Sequence, residues 1–79
     1  MKVGRVFVHR KFFDFKNIEC CAKIFSGMIV LEATQCFDRD GIEYLAVHNS
    51  FDEKEPGIIA PIYKAVFESG SDLPRWVRQ

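Results

Sequence analysis

The sequence predicts a mainly β fold, in which a small antiparallel sheet or partial barrel of four to five strands forms one domain over residues 1–79. Three observations predict it. Short runs rich in Val, Ile, Phe and Tyr recur along the chain, and these residues favour strands. An Asp-Gly pair between two such runs is typical of a tight hairpin turn. The 79 residues suffice for only one core, because a chain of this length buries about 60% of the surface that it exposes when unfolded.

The first strand is predicted over residues 3–9. Its valines and Phe7 stand in the β-rich, alternating pattern of an extended chain. Residues 10–17 combine charged side chains with three phenylalanines and show no regular period. We therefore expect them to connect the first strand to the next element.

The segment 17–26 fits two structures. As a helix, it has Asn17 as its N-cap, Gly27 as its terminator and one apolar face, formed by Ile18, Cys21, Ala22 and Phe25. As a strand, it places a different set on one face: Ile18, Cys20, Ala22 and Ile24. A helix this short depends on packing for its stability, so the sequence leaves both structures open. A short helix here would make the fold α+β.

A hairpin over residues 28–48 is the clearest prediction. Two β-rich runs, 28–37 and 42–48, flank the sequence Asp38-Arg39-Asp40-Gly41, and Gly41 is expected to supply a positive φ angle in the turn. Alternate residues of the two strands should share one face: Leu31, Ala33, Gln35 and Phe37 beside Ile42, Tyr44, Ala46 and His48.

The remaining chain predicts a polar loop and one further strand. Pro56-Gly57 suits the centre of a type II turn, and residues 62–67 can extend as a strand. Pro61 favours an edge position for this strand, because proline donates no backbone hydrogen bond to a neighbouring strand. The sequence does not decide whether the terminal segment docks through Trp76.

The charge distribution is uneven although the net charge is zero. Residues 1–27 hold six basic and two acidic residues, a balance of +4, whereas residues 28–68 hold eight acidic and three basic residues, a balance of −5. If the hairpin tip and the loop after residue 48 lie at one end of the sheet, their carboxylates would form a negative face that attracts a basic partner. The candidate partner-binding residues are Asp38, Asp40, Glu43, Asp52, Glu53 and Glu55.

No pattern of catalytic or metal-binding residues stands out, and we predict neither an enzyme nor a metal or other cofactor. His9 and His48 have no nucleophile in a recognisable local motif. The three cysteines lack zinc-site spacing, which places ligands about two to four residues apart. Their odd number predicts free thiols. The amino-terminal residues lack the uninterrupted apolar stretch of a signal peptide, and we therefore expect a cytoplasmic location. No segment approaches the roughly 20 apolar residues of a membrane span, so no membrane partner is expected.

Three classes of function remain. We expect a non-enzymatic protein-binding module, with an inhibitor or adaptor of the phage or mobile-element type acting on a host protein as its concrete form. The alternative is weak binding of single-stranded nucleic acid, since residues 9–16 interleave cations with aromatic rings. The candidate residues for that role are Arg10, Lys11, Phe12, Phe13, Phe15 and Lys16. Homo-oligomers formed through an exposed edge strand are a third possibility.

Overall fold

A computed structural model describes residues 1–14, 16, 18–70 and 72–79 and confirms the mainly β prediction. One sheet of five strands contains all the strands of the described chain, in the order β2-β3-β1-β4-β5. A short 3-10 helix and one α-helix, α1, connect β1 to β2. In chain order the elements are β1 Val3–His9, the 3-10 helix Arg10–Phe13, α1 Ile18–Phe25, β2 Ile29–Cys36, β3 Gly41–Val47, β4 Ile62–Val66 and β5 Arg75–Arg78.

The ambiguous segment after the first connection is a helix. Ile24 is only 5% exposed and belongs to the core, and Cys20 and Phe25 pack beside that core. Ile18, by contrast, is 58% exposed, so the predicted helix face was wrong by part of a turn. The face of a two-turn helix that becomes buried depends on how the helix docks on the sheet. The sequence of so short a helix is compatible with more than one buried face. The predicted cap Asn17 lies outside the described residues.

The sheet is mixed rather than wholly antiparallel, because β1 and β4 run parallel. The other three strand pairs are antiparallel. The edge position predicted for the fourth strand was wrong, since β4 lies between β1 and β5. Pro61 lies directly before β4, so its missing N–H does not interrupt the hydrogen bonds of that strand. The Pro61 carbonyl accepts a hydrogen bond of 2.8 Å from the Arg5 amide.

The predicted hairpin is present as β2 and β3, with the turn at residues 37–40. Ala33 pairs with Tyr44 and Gln35 with Ile42, as the shared face predicts. Two details differ. The positive φ angle of 55° belongs to Asp40 and not to Gly41, and a β-bulge after Val30 shifts the register by one residue. Aspartate tolerates the left-handed backbone region better than most residues, which explains why Asp40 and not Gly41 can hold the positive φ angle.

The core lies on the face of the sheet that α1 covers. Its buried members are Val6, Val8, Ile24, Phe51 and Tyr63. Phe51 enters from the loop after β3 and stacks on Tyr63, with ring centroids 4.3 Å apart. The terminal segment is docked, because β5 pairs with β4 and Trp76 meets Phe51 edge to face at 5.6 Å. In the described part of the chain, no helix has the length and apolar character to cross a membrane.

Candidate functional site

The two acidic segments lie at opposite ends of β3. The hairpin turn with Asp38 and Asp40 precedes the strand, and the loop with Asp52, Glu53 and Glu55 follows it. Seven residues of strand at about 3.3 Å each separate the two ends by about 20 Å. The condition for one negative face is therefore not met.

Cations also neutralise most of these carboxylates. The Arg10 guanidinium donates to Asp40 at 3.0 Å, and the Arg39 guanidinium donates to Glu43 at 2.8 Å. At the other end of the strand, Arg78 donates to Asp52 at 3.2 Å. Glu53 contacts the amino terminus of Met1, which lowers the pKa of its carboxyl. Among the described residues, only Asp38 and Glu55 of the six candidates form no ion pair, and they belong to different segments.

The described residues of the basic and aromatic segment do not form an open stacking platform either. Arg10 is held by Asp40, and Phe12 packs against the core. The Lys11 ammonium lies over the Phe12 ring at 5.2 Å. Phe13 and Lys16 are exposed, whereas Phe15 lies outside the described residues. A binder of single strands needs several exposed rings beside its cations, and Phe13 is the one exposed ring among the described residues of this segment.

Both histidines have structural roles in the described chain. His9 Nδ1 accepts from the Lys11 amide at 3.1 Å at the start of the 3-10 helix. His48 Nδ1 accepts from the Ser50 amide at 3.0 Å, and its Nε2 lies 3.2 Å from the Ser26 carbonyl. His48 thereby ties the loop after β3 to the turn after α1.

The three cysteines are free thiols, as the sequence predicts. Burial, and secondarily the neighbouring Cys20, raise the pKa of the Cys21 thiol. A thiol with a raised pKa holds less thiolate at neutral pH and is a poorer nucleophile. Among the described residues, no three His, Cys, Asp or Glu side chains are grouped as metal ligands.

The most unusual surface of the molecule is the edge strand β2. All residues from Ile29 to Gln35 are exposed. β3 covers one edge of the strand and is the described element with which β2 makes its extensive contacts. Three consecutive apolar residues are among the exposed ones: Ile29 is 65% exposed, Leu31 is 51% exposed, and Val30 lies between them. Phe37, directly after the strand, is 83% exposed.

Apolar surface continues from β2 across the face of the sheet that α1 leaves open. Leu31 and Leu45 line a groove of about 570 Å³ together with Ile58 and Ile59 from the loop before β4. Ile59 is 78% exposed. We call β2 and this groove the β2 surface. Sequence reasoning allowed for an exposed edge strand but did not identify β2 as that strand, because a short apolar run has the same composition whether it is exposed or buried. The available signal was the apolar run at residues 28–31.

Comparisons with protein-family models, with curated proteins and with solved structures found no match to this chain.

Proposed function

We propose that this protein is a non-enzymatic protein-binding module that adds a β-strand of its partner to the free edge of β2. The exposure of the whole strand from Ile29 to Gln35 carries this proposal. It keeps the class of function expected from the sequence and moves the interface from the acidic residues to the β2 surface.

The backbone of β2 supports a strand as the occupant. β2 is the first strand in the sheet order, so the edge facing away from β3 presents N–H and C=O groups to which no described strand is bonded. An extended peptide can form hydrogen bonds with these N–H and C=O groups by becoming the next strand of the sheet, and these main-chain hydrogen bonds supply affinity. Its alternate side chains would then contact the two exposed faces of β2.

The side chains of β2 support the same occupant. Natural edge strands that avoid pairing carry lysine, proline or inward-pointing charges, or are very short. β2 has eight residues, contains no Lys or Pro, and has Glu32 as its only charged residue. The bulge after Val30 and the single charge of Glu32 are its protective features. We therefore propose a partner segment with apolar residues at alternate positions and a basic residue opposite Glu32.

The small size of the domain suggests an inhibitor or adaptor of the phage type as the concrete form of this role, acting on a host protein in the cytoplasm. The nucleic-acid alternative receives no comparable support, because the ion pair of Arg10 and the packing of Phe12 occupy two of its main candidates.

Selection from a displayed library of random peptides tests strand addition. Peptides retained by the protein should alternate apolar residues and include a cation, and they should slow hydrogen exchange of the amides in β2. Leu31→Lys should weaken binding of these peptides about tenfold or more, because it places a lysine at the interface. Its fold should remain intact, since half of the side chain is already exposed.

Leu73→Lys is the matched control. Leu73 is 55% exposed and lies in the segment before β5, at the other end of the sheet order. This variant should bind the peptides as the unmodified protein does. Peptides that protect residues 52–55 and leave β2 unprotected would contradict the proposal and favour the acidic loop. Concentration-dependent dimers that protect β2 without any peptide would identify a second copy as the occupant and would overturn the assignment to a foreign strand.

A further inference from the structure

The bulge in β2 places an apolar and an acidic side chain next to each other on one face of the sheet. The register shifts between Val30 and Glu32, so Leu31 is the extra residue and Glu32 pairs with Leu45. Leu45 follows Tyr44, which packs against the core, and it therefore lies on the open face. Leu31 and Glu32 both lie beside Leu45 on that face, although successive residues of a regular strand point to opposite faces.

The open face beside β2 therefore has two parts with different chemistry. The part at Leu31 is the apolar groove of the β2 surface. The part at Glu32 is a recess of about 240 Å³. The recess is lined by Arg5, Glu32, Thr34, Glu43 and Leu45. Leu45 also lines the groove, so the two parts adjoin along the free strand.

Glu32 supplies the charge in this recess that the protein leaves without a counter-ion. The Glu43 carboxylate accepts from Arg39 at 2.8 Å and lies 3.6 Å from the Arg5 guanidinium. Arg5 also donates to the Ala60 carbonyl at 2.7 Å. The charges of Arg5 and Glu43 are thus engaged within the protein. Among the described residues Glu32 takes part in no ion pair, and its side chain is exposed.

The exposure of β2 also favours one direction for an added strand. Parallel strands occur almost only in sheets that are covered on both faces, whereas antiparallel strands tolerate contact with water. Antiparallel pairs are also slightly more stable per residue. Since β2 is exposed from Ile29 to Gln35, we expect an added strand to run antiparallel to it. In that direction the added strand passes Glu32 before Leu31, and its side chains two residues apart share a face at a spacing of about 7 Å.

We propose that the partner strand runs antiparallel to β2 and carries, in sequence order, a cation, any residue and an apolar residue. The cation is an arginine or lysine that lies in the recess and pairs with Glu32, and the Thr34 hydroxyl accepts a further hydrogen bond from it. The apolar side chain two positions later packs on Leu31. This inference rests on the proposed strand addition and specifies which strands β2 accepts. The opposite order places the cation on apolar surface and the apolar residue on Glu32, which costs binding energy.

The sequences of peptides selected for binding test this order. Among peptides that slow hydrogen exchange in β2, the cation should stand two positions before an apolar residue. Exchanging these two residues within one selected peptide keeps its composition and should weaken binding about tenfold. Equal affinity of the two peptides, or selected peptides with the apolar residue first, would overturn this inference and leave strand addition standing. A selection in which no peptide protects β2 would overturn both.

Reciprocal charge exchange tests the pair formed with Glu32. Glu32→Lys should weaken binding of a selected peptide about fivefold, and the same peptide with glutamate in place of its cation should bind the variant better than the original protein. This recovery separates pairing with Glu32 from the general effect of lysine on an edge strand. Without recovery, the pairing is contradicted.

Glu19→Lys is the matched control for charge. Glu19 is exposed on α1, which covers the other face of the sheet, and it forms no ion pair among the described residues. This variant should bind the selected peptide as the original protein does. Equal effects of the two lysine variants would reduce the interaction to general surface charge and would overturn the inference.

Discussion

At the scale of single residues, Gly41 is required for its small size and not for its backbone angle. A Cβ atom at this position would lie 2.5 Å from the Phe7 ring and in contact with the Val8 carbonyl. The pairing of β3 with β1 brings these groups together, with Gly41 opposite His9. The positive φ angle of the turn belongs to Asp40, so the expectation that Gly41 supplies it was wrong, and the constraint on Gly41 comes from its neighbours instead.

Gly41→Ala should therefore lower the free energy of unfolding by about 3 kcal/mol, because a crowded site relaxes only by shifting backbone or ring. Gly57→Ala is the control. Gly57 has a φ angle of 81°, and a Cβ atom added there would meet open space, so only backbone strain of about 1 kcal/mol is expected. Chemical denaturation of both variants measures the two costs. Equal losses would contradict the steric explanation.

At the scale of elements, α1 is stabilised by a few contacts with the sheet. Eight residues form only about two turns, and a helix of that length is unstable alone. Ile24 supplies the single buried side chain of α1, and Phe25 meets Tyr44 edge to face at 5.0 Å. The docked face of the helix is thus centred on Ile24.

The same substitution at two positions of α1 tests this orientation. Ile24→Ala should lower the free energy of unfolding by about 2 to 4 kcal/mol, since it leaves a cavity in the core. Ile18→Ala should change it by less than about 0.5 kcal/mol, because the side chain is already mostly in water. Thermal and urea unfolding measure both. The face predicted from the sequence requires the opposite order, so the pair of variants decides between the two helix orientations.

At the scale of the whole molecule, the distribution of charge is governed by ion pairs between distant segments. Arg10 and Asp40 are 30 positions apart in the sequence, and Arg78 and Asp52 are 26 positions apart. Each pair joins a basic segment to an acidic one. The uneven charge along the sequence therefore becomes a folded surface on which opposite charges alternate.

Charge reversal separates the acidic-face hypothesis from strand addition. The combined variant Asp52→Lys, Glu53→Lys and Glu55→Lys should change the free energy of unfolding by only about 1 kcal/mol, because exposed ion pairs contribute little. Its rate of association with the selected peptides should stay within about twofold of the original at low and high salt, since these residues lie outside β2. The acidic-face hypothesis predicts slower association with weaker salt dependence. Association kinetics at two ionic strengths measure this difference, and a marked slowing at low salt would restore the acidic loop as the interface.

The sequence alone determined the features that depend on neighbouring residues. The β-rich composition, the hairpin around Asp40-Gly41 and the turn at Pro56-Gly57 follow from local backbone preferences. Gly57 has its φ angle of 81°, and the Ile58 amide donates to the Glu55 carbonyl, as a type II turn requires. The free thiols likewise followed from the odd number of cysteines and their spacing.

Only the tertiary structure decided the features that depend on which elements become neighbours. The helix at residues 18–25, the parallel pairing of β4 with β1 and the free edge of β2 all arise from contacts between distant segments. The apolar run Ile29–Leu31 at the start of β2 resembles part of a buried strand, and its exposure follows from the position of β2 at the end of the sheet. Local preferences specify the conformation of each segment, but long-range packing decides which surfaces remain open to a partner.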